Sequence, residues 1–274
     1  MKAADFDYVR PSALADALAL MADDSRDVAA LAGGQSLVPM MNFRLATPDV
    51  LLDLSALAEL RGLTDHGDRI RVGAMTRYAE LAALPGLDQS LPLMARALPH
   101  IAHSAIRNRG TLGGSVALAD PAAEVPAVLV ALGATIHLAS GRGAREIGAE
   151  DFFLGHYDTA RHADELVIAI DIPKAVPTDR FAFYELARRH GDYAMAGVAI
   201  AWRQTPRITF FSVADRPIRA QAAETILGAQ PTALDAACAS LTELDVNGDL
   251  NGGPRMKRHL AAVVLRRAWD GIET

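Results

Sequence analysis

Two stretches decide the fold of this chain, Ala32-Gly33-Gly34-Gln35-Ser36 and Thr111-Leu112-Gly113-Gly114-Ser115. Each is a pair of glycines that ends in a serine. Adjacent glycines let the backbone adopt positive φ and come close to a bulky group, and successive free N–H groups form a concave site that attracts phosphate oxygens. The serines and Thr111 add hydroxyl donors. Since the loops are 80 residues apart along the chain, they predict one pyrophosphate held from two sides, and hence a dinucleotide.

Neither segment has the spacing of the best-known nucleotide loops. Residues 33–38 lack the G-x-G-x-x-G fingerprint, and no Walker A sequence with its Lys-Ser/Thr ending occurs in the chain. This disfavours a nicotinamide domain that transfers hydride, and a GTPase or ATPase even more. The alternative is that both glycine pairs are ordinary tight turns, and the repeated hydroxyl flanks weigh against it.

The amino-acid composition excludes several classes of protein. With 274 residues, 51% hydrophobic and 22% charged, the chain can form one large domain or two modest ones. A net charge of -6 without a basic run disfavours nucleic-acid binding. The single cysteine, Cys238, excludes internal disulfides and thiolate-bound clusters, and its sequence context predicts a packed helix residue. Neither a signal peptide nor an apolar run of about 20 residues is present, so a cytoplasmic protein is expected.

The hydrophobic pattern places the loops on secondary structure. An apolar strand at residues 28–31 enters the first loop, and a second strand at 50–54 follows, which predicts a small parallel β-α unit. Alternation predicts a strand at 69–73, and helices are predicted at 91–101 and 122–132, with Gly133 as a C-cap. Strands at 134–139 and 165–172 complete this part.

A proline-rich stretch, residues 173–179, is the best candidate linker. Beyond it, three strands are predicted at 181–184, 195–202 and 207–213, and then a helical tail from 219 to 269. The pattern therefore predicts an α+β chain with a nucleotide-binding domain over residues 1–176 and a smaller domain of sheet and helices over 177–274.

Four stretches together carry a resemblance to a known family: residues 32–41, 106–115, 119–127 (Ala-Asp-Pro-Ala-Ala-Glu-Val-Pro-Ala) and 191–194 (Gly-Asp-Tyr-Ala). In order, position and chain length they resemble the medium, flavin-binding subunit of bacterial molybdenum hydroxylases. That family includes the carbon monoxide dehydrogenase medium subunit and is similar to the flavin domain of xanthine dehydrogenase. The resemblance implies a PCMH-type FAD-binding domain of two α/β subdomains, followed by a smaller C-terminal domain with a three-stranded antiparallel sheet and helices.

The same resemblance implies a set of FAD-binding residues. Backbone amides of both loops would hold the pyrophosphate, Ile101 would lie against the flavin ring, Glu124 would hydrogen-bond the cofactor, and Tyr193 would cover one flavin face. The full set implied is Ala32, Gly33, Gly34, Gln35, Ser36, Leu37, Ile101, Thr111, Gly114, Ser115, Glu124, Leu166 and Tyr193.

The sequence departs from the family pattern at two places. Gln35 stands where the first loop often has histidine, and both side chains can hydrogen-bond a phosphate or a neighbouring loop. Tyr184 and Glu185 stand where the family often has a lysine near the flavin, which leaves Arg188 and Arg189 as the nearby cations.

Other polar residues have two interpretations each. His100 and His103 could form a metal pair, but no third ligand has suitable spacing, and local hydrogen bonds near the flavin are favoured. Arg107 and Arg109 could offset pyrophosphate charge or lie on the surface, and the sequence favours neither interpretation. Asp120 is slightly favoured as a helix cap over a direct contact with FAD.

The resemblance implies an oxidoreductase subunit that transfers electrons. A large partner subunit would carry the molybdenum cofactor and a small one two [2Fe–2S] clusters, in a dimer of heterotrimers. FAD on this chain would pass the electrons to an external acceptor, so no side chain here is expected to act as a catalytic acid or base. The alternatives are a free-standing FAD-dependent oxidase or dehydrogenase of a small molecule, and a scaffold protein in which the glycine loops are only turns.

Overall fold

The N-terminal part of the chain is a small parallel β-α unit. A computed structural model describes residues 2–272. Residue 1 of the first predicted domain and residues 273–274 of the second lie outside the described residues. The strands pair in parallel in the order β1-β3-β2, as the two apolar segments predict. The elements are β1 (Asp7–Val9), α1 (Leu14–Met21), β2 (Val28–Leu31), α2 (Leu37–Asn42) and β3 (Val50–Asp53). The first glycine loop connects β2 to α2.

A five-stranded antiparallel sheet forms the second unit, in the order β4-β5-β10-β6-β7. Six helices lie between β5 and β6 along the chain, and the second glycine loop is at the start of α7. The elements are β4 (Leu63–Asp65), β5 (Arg69–Gly73), α3 (Tyr78–Ala82), α4 (Leu87–Ser90), α5 (Pro92–Ala97), α6 (Ser104–Arg107), α7 (Leu112–Leu118), α8 (Glu124–Leu132), β6 (Thr135–Ser140), β7 (Gly143–Gly148), α9 (Ala149–Phe152), β8 (Phe153–Gly155), β9 (Asp158–Thr159) and β10 (Leu166–Pro173).

Helix α8 is the centre of the core. Every residue of this helix is buried, because it is apolar on all sides and packs on both β12 and β13 of the C-terminal domain and on α5 and β10. It ends at Gly133, which has a left-handed conformation with φ of 66°, as predicted for a C-cap. The helix therefore joins the two domains through buried apolar contacts.

The predicted helix over residues 91–101 is shorter in the structure. Helix α5 ends at Ala97, and a single 3-10 turn, Leu98–His100, follows. Pro99 lacks the N–H group that a continuing helix would need, and Ala102 then has a positive φ of 42°. This turn directs Ile101 and Ala102 towards the cleft described below.

The C-terminal domain has four antiparallel strands in the order β11-β12-β13-β14, so the expected three-stranded sheet has a short fourth strand. The prediction missed this strand because it is only two residues long. The elements are β11 (Arg180–Ala187), β12 (Ala194–Trp202), β13 (Pro206–Phe211), β14 (Ile218–Arg219), α10 (Gln221–Ala229), α11 (Leu234–Ser240) and α12 (Pro254–Asp270). Cys238 is buried in α11, which confirms its predicted packing role. Among the helices described, none has both the length and the apolar character needed to cross a membrane.

Candidate cofactor-binding cleft

The first glycine loop presents a run of free backbone donors. Gly34 has φ of 71°, and this left-handed conformation turns the chain from β2 into α2. In the part of the chain that the structure describes, the N–H groups of residues 33–37 have no protein acceptor. The amide group of Gln35 donates from Nε2 to the carbonyl oxygen of Gly33 at 3.0 Å, so it braces the loop from within. Five successive unpaired donors make this loop an anion site.

The second loop differs from the expectation, because the backbone amides of residues 112–115 are already used within the protein. The N–H groups of Leu112 and Gly113 donate to the carbonyl oxygens of Thr76 and Ala74, at 3.0 and 2.9 Å. Gly114 N–H donates to Thr111 Oγ1 at 3.2 Å, so Thr111 is the N-cap of α7. The prediction that amides of both loops hold a pyrophosphate is therefore wrong for residues 112–115, whose N–H groups are paired. What this loop offers is the N–H group of Thr111, which has no acceptor among the described residues, and the hydroxyl groups of Thr111 and Ser115.

The two loops touch through their backbones. A Cβ atom built on Gly33 would lie 2.3 Å from the carbonyl oxygen of Arg109, and one on Gly114 would lie 3.3 Å from the Cβ of Ala32. Contacts below 3 Å leave no room for a side chain, so Gly33 is needed for this close approach. The loops consequently form one continuous wall.

That wall lines a cleft of about 640 Å³ between the N-terminal unit, the antiparallel sheet and the C-terminal domain. This volume lies in the range of about 300–1,000 Å³ that is usual for ligand sites. The C-terminal domain contributes Gly191, Asp192 and Tyr193. Gly191 has φ of 80°, and a Cβ atom there would lie 2.4 Å from the carbonyl oxygen of Ala102. The two domains therefore meet at one edge of the cleft.

A buried carboxyl group lies at the edge of the cleft. Glu124 is the first residue of α8, and its burial, with a smaller effect from the charge of Asp120, raises its pKa to about 7. Tyr78 lies beneath the second loop, where burial raises the pKa of its phenol. Burial therefore acts in the same direction on both groups and disfavours their ionised forms.

Behind the cleft, a second buried carboxyl group belongs to Glu185. Its Oε2 atom has no hydrogen-bond partner among the described residues and lies 3.9 Å from Nδ1 of His100. Burial, and to a lesser extent the charge of Glu124, raises the pKa of Glu185 to about 8. Glu185 is thus an acid that is mostly protonated at neutral pH.

Two family models match the chain and together span nearly all of it. Residues 4–175 match the FAD binding domain in molybdopterin dehydrogenase, and residues 181–272 match the CO dehydrogenase flavoprotein C-terminal domain. The chain belongs to the FAD-binding subunits of molybdenum hydroxylases. It is accordingly an oxidoreductase subunit with an FAD-binding domain.

Relatives and solved structures agree with this family membership over the whole chain. The beta subunit of caffeine dehydrogenase from Pseudomonas sp. (strain CBB1) is 38% identical, covering 98% of this chain and 95% of the relative. The medium subunit of nicotine 6-hydroxylase from Paenarthrobacter nicotinovorans is 37% identical, with 97% of each chain covered. A chain of carbon monoxide dehydrogenase from Hydrogenophaga pseudoflava superposes with a TM-score of 0.95 at 34% identity, covering 99% of this chain and 98% of that chain.

All the residues that the resemblance implied for FAD line the one cleft. Ile101 and Leu166 are buried in its wall, whereas Tyr193 is 69% exposed at its edge. The lining includes Ala32, Gly33, Gly34, Gln35, Ser36, Leu37, Ile101, Thr111, Gly114, Ser115, Glu124, Leu166 and Tyr193. Residues that are up to 161 positions apart in the chain are thus brought to a single surface.

The residues with two interpretations are also placed. The guanidinium of Arg107 donates to the carbonyl oxygens of Ile101 and Ala102 at 2.8 and 3.1 Å, so it holds the turn at the cleft. Asp120 lines the cleft and accepts from the N–H of Ala122 at 2.9 Å, but Ala123 is the N-cap of α8. His103 lines the cleft, while the ring of His100 packs against Phe183 behind it.

The sequence analysis did not single out two charged residues of the cleft, Arg161 and Glu165. Arg161 is the only arginine or lysine among the described lining residues, and its Nη1 donates to the carbonyl oxygens of His162 and Glu165 at 3.0 and 2.8 Å. Glu165 accepts from Arg145 at 2.6 and 2.7 Å, which lowers its pKa to about 2. Both belong to the irregular segment before β10, where no motif marks them.

Proposed function

We propose that this chain binds FAD in the cleft with the thirteen residues that the family pattern implies. The observation that carries the proposal is the run of five unpaired amides at residues 33–37, next to the Thr111 and Ser115 hydroxyls. Free amides and hydroxyls are the donors that a pyrophosphate requires. The first loop would supply backbone donors, and the second would supply the Thr111 and Ser115 hydroxyls and the N–H group of Thr111.

The other cleft residues suit the remaining parts of FAD. Ile101 and Leu166 offer apolar surface for a flat ring, and Tyr193 is free at the edge to cover it. Glu124, with its raised pKa, can donate a hydrogen bond from its protonated carboxyl group. Bound FAD supplies the redox chemistry, and this chain binds it, orients it and sets the electrostatic potential around it.

We further propose that the chain acts as the electron-transfer subunit of a heteromeric molybdenum hydroxylase. Electrons from a molybdenum site in a large subunit would arrive through two [2Fe–2S] clusters of a small subunit and leave to an external acceptor. One cysteine cannot hold such a cluster, so the clusters need another chain. We expect a dimer of heterotrimers in the cytoplasm, as the family pattern implies.

The test is a mild purification of the native protein from its source cells, followed by an absorbance spectrum and subunit masses. The proposal expects a flavin spectrum, FAD released on denaturation, and two partner chains that carry molybdenum and iron. A yellow protein that runs alone and is reduced directly by a small substrate would instead establish a free-standing FAD-dependent oxidase or dehydrogenase. A colourless protein that takes up no FAD, even with its partners, would refute both.

A further inference from the structure

A small cluster of ionisable side chains lies behind the cleft at the junction of the two domains. Glu185, on β11, is its centre, and its side chain is only 2% exposed. The Nδ1 atom of His100 lies 3.9 Å from the Glu185 carboxyl group. The ring of His100 lies 5.8 Å from that of His190 and 5.1 Å from that of Phe183, centre to centre. Buried carboxyl oxygens without a partner are rare in folded proteins and call for an explanation.

The cluster is joined to the cleft by the chain itself. His100 directly precedes Ile101 and Ala102, and His190 directly precedes Gly191, all of which line the cleft. Gly191 of the C-terminal domain and Ala102 touch at the edge of the cleft. The charge of Glu124, which lines the cleft, already raises the pKa of Glu185, so a change of charge in the cleft is expected to act on Glu185 as well.

The elements that pack around Glu185 bring no cation to its carboxyl group among the described residues. Arg96 of α5 donates instead to the carbonyl oxygen of Phe181, and Arg267 of α12 donates to the Tyr184 hydroxyl at 2.7 Å. Strand β12 has no ionisable residue, and the groups that remain nearby are His100, His190, Glu124 of α8, and Arg188 and Arg189, which are exposed.

These surroundings favour the protonated form of the carboxyl group. Burial is the main cause that raises the pKa of Glu185 to about 8, and the charge of Glu124 adds to it. Burial and the neighbouring His190 lower the pKa of His100. Near neutral pH the carboxyl group of Glu185 is therefore mostly protonated, and the imidazole of His100 beside it is neutral.

We propose that Glu185, paired with His100, is a proton-holding residue that ties the reduction potential of the bound flavin to pH. The proposal rests on the proposed function, in which two electrons enter FAD from a partner subunit. As negative charge builds up in the cleft, one proton from solvent binds to the Glu185 carboxylate and forms an O–H bond. Glu185 acts through the electrostatic potential and does not touch the cofactor, so it is a positioning residue.

The proposal predicts in which direction the reduction potential of the flavin changes with pH, and over which pH range. Below about pH 8 Glu185 is already protonated, so reduction draws no proton to it. Above that pH the carboxylate is ionised before reduction and takes up a proton during it. One extra proton per two electrons lowers the potential by about 30 mV for each further pH unit.

The experiment is a spectroelectrochemical titration of the FAD-loaded chain between about pH 6 and pH 10. E185Q, which imitates the protonated carboxyl group, is expected to match the wild type below about pH 8 and to lose the additional slope above it. The control is E146Q, which changes an exposed glutamate 3.3 Å from His137 on the outer edge of the antiparallel sheet and should follow the wild type. The proposal would be overturned if the reduction potential changed with pH equally steeply in the wild type and in E185Q over the whole pH range. E185M, equally neutral, should repeat the loss of slope, and a slope that persists in it would also count against the proposal.

A second measurement needs no FAD and so separates this proposal from the proposed function. The folded pKa of Glu185 is above its unfolded value, so the folded chain binds the extra proton and its stability falls as pH rises from about 4.5 to about 8. The melting temperature of the apo-chain should therefore fall less in E185Q than in the wild type over that range. Equal falls would overturn the role of Glu185 even in a protein that binds FAD. Failure to bind FAD with unequal falls would overturn the proposed function and leave only the protonation of Glu185 established.

Discussion

The backbone of Gly33 lies against the carbonyl group of Arg109, and this contact shows how much of the cleft depends on single residues. A methyl group at this position would have to displace backbone atoms, since its Cβ would fall 2.3 Å from the Arg109 oxygen. Gln35 and Arg107 also shape the cleft, but through hydrogen bonds. Gln35 holds the first loop, and Arg107 holds the turn at Ile101. At the residue scale, the cleft is shaped by groups that brace its walls as well as by groups that face its interior.

Gly33→Ala is expected to weaken FAD binding at least about tenfold, or about 1.4 kcal/mol. The added methyl group separates the two loops and so moves the free amides away from the Thr111 and Ser115 hydroxyls. Titration of apo-protein with FAD, followed by fluorescence, measures the change. Gly141→Ala is the matched control, because a Cβ there meets nothing within 4 Å. Equal affinity in the two variants would contradict the role assigned to the loop contact.

Glu124→Gln is expected to flatten the pH dependence of FAD affinity. The pKa of Glu124 is raised to about 7, so in the wild type the carboxyl group ionises as pH rises through that value and repels the anionic dinucleotide. Between about pH 6 and pH 8, wild-type affinity should fall about fivefold, or about 1 kcal/mol. Calorimetric titration at several pH values measures it, with the exposed Glu243→Gln as a control. A fall of the same size in Glu124→Gln would show that another group is responsible.

At the scale of elements, the start of α7 is satisfied by its neighbours before any ligand binds. Thr76, Ala74 and the Thr111 side chain accept from its first amides. The strand β10, at the centre of the antiparallel sheet, is held on both sides in a similar way. Asp171 accepts from Arg71 of β5 at 2.7 and 2.8 Å and lies 3.0 Å from His137 of β6. These contacts fix the elements from which the cleft is built.

Thr111→Val is expected to destabilise the protein by about 1 kcal/mol, the usual cost of losing an N-cap. Valine has the shape of threonine but cannot accept from Gly114 N–H. Thr111→Ser, which retains the hydroxyl group, should lie within about 0.5 kcal/mol of the wild type. Urea denaturation of the apo-protein gives both values. A Thr111→Val protein as stable as the wild type would contradict the role of the cap, and destabilisation of Thr111→Ser alone would point to packing of the methyl group instead.

Asp171→Asn is expected to cost about 2 kcal/mol at neutral pH, because a buried carboxylate then no longer accepts from Arg71. The hydrogen bond from Arg71, followed by the one from His137, holds the pKa of Asp171 well below its usual value. A lowered carboxyl pKa stabilises the folded state fully above the unfolded pKa of about 4, and this stability is lost as pH falls below it.

Denaturation curves at several pH values test this dependence. The difference between wild type and Asp171→Asn should shrink below about pH 4. Asp68→Asn is the control, because its carboxyl group pairs with Arg69 on the exposed surface, and it should change stability by less than about 0.5 kcal/mol. A difference between wild type and Asp171→Asn that is independent of pH would exclude the carboxylate as the cause.

At the scale of the whole molecule, the cleft joins three parts of the chain. The first glycine loop belongs to the parallel unit, Leu166 to the antiparallel sheet, and Tyr193 to the C-terminal domain. Helix α8 packs on both domains, and Gly191 meets Ala102 at the edge of the cleft. A ligand that occupies the cleft therefore contacts every unit at once.

FAD at about 100 times its dissociation constant is expected to stabilise the chain by about 2.7 kcal/mol. For a chain of this size that raises the melting temperature by about 5–10 °C. Riboflavin is the control ligand, because it has the same ring system without the pyrophosphate and so leaves the amides of residues 33–37 unpaired. Differential scanning fluorimetry compares the two. Equal shifts would show that the free amides do not contribute to binding.

The sequence by itself determined the parallel β-α unit and the α+β class, and its resemblance to a known family implied thirteen of the residues that line the cleft. Short-range patterns were sufficient for these: apolar strands that end in paired glycines, a helix that is apolar on all sides, and four motifs in a fixed order. The sequence did not predict the strands β1, β7 and β14, because they are short or carry little hydrophobic signal. The sequence did not predict Arg161 and Glu165 as residues of the cleft, because they belong to no motif.

Only the tertiary structure decided which of the similar loops keeps its amides free. The partners of Leu112 and Gly113, Thr76 and Ala74, are more than 30 residues away in the chain, so no local pattern could predict that the second loop is already paired. The same is true of Gly33 against Arg109 and of Glu185 beside His100, which meet through folding alone. Hydrogen-bond partners and burial depend on contacts between distant segments, and these contacts determine which donors are free and which acids keep their protons.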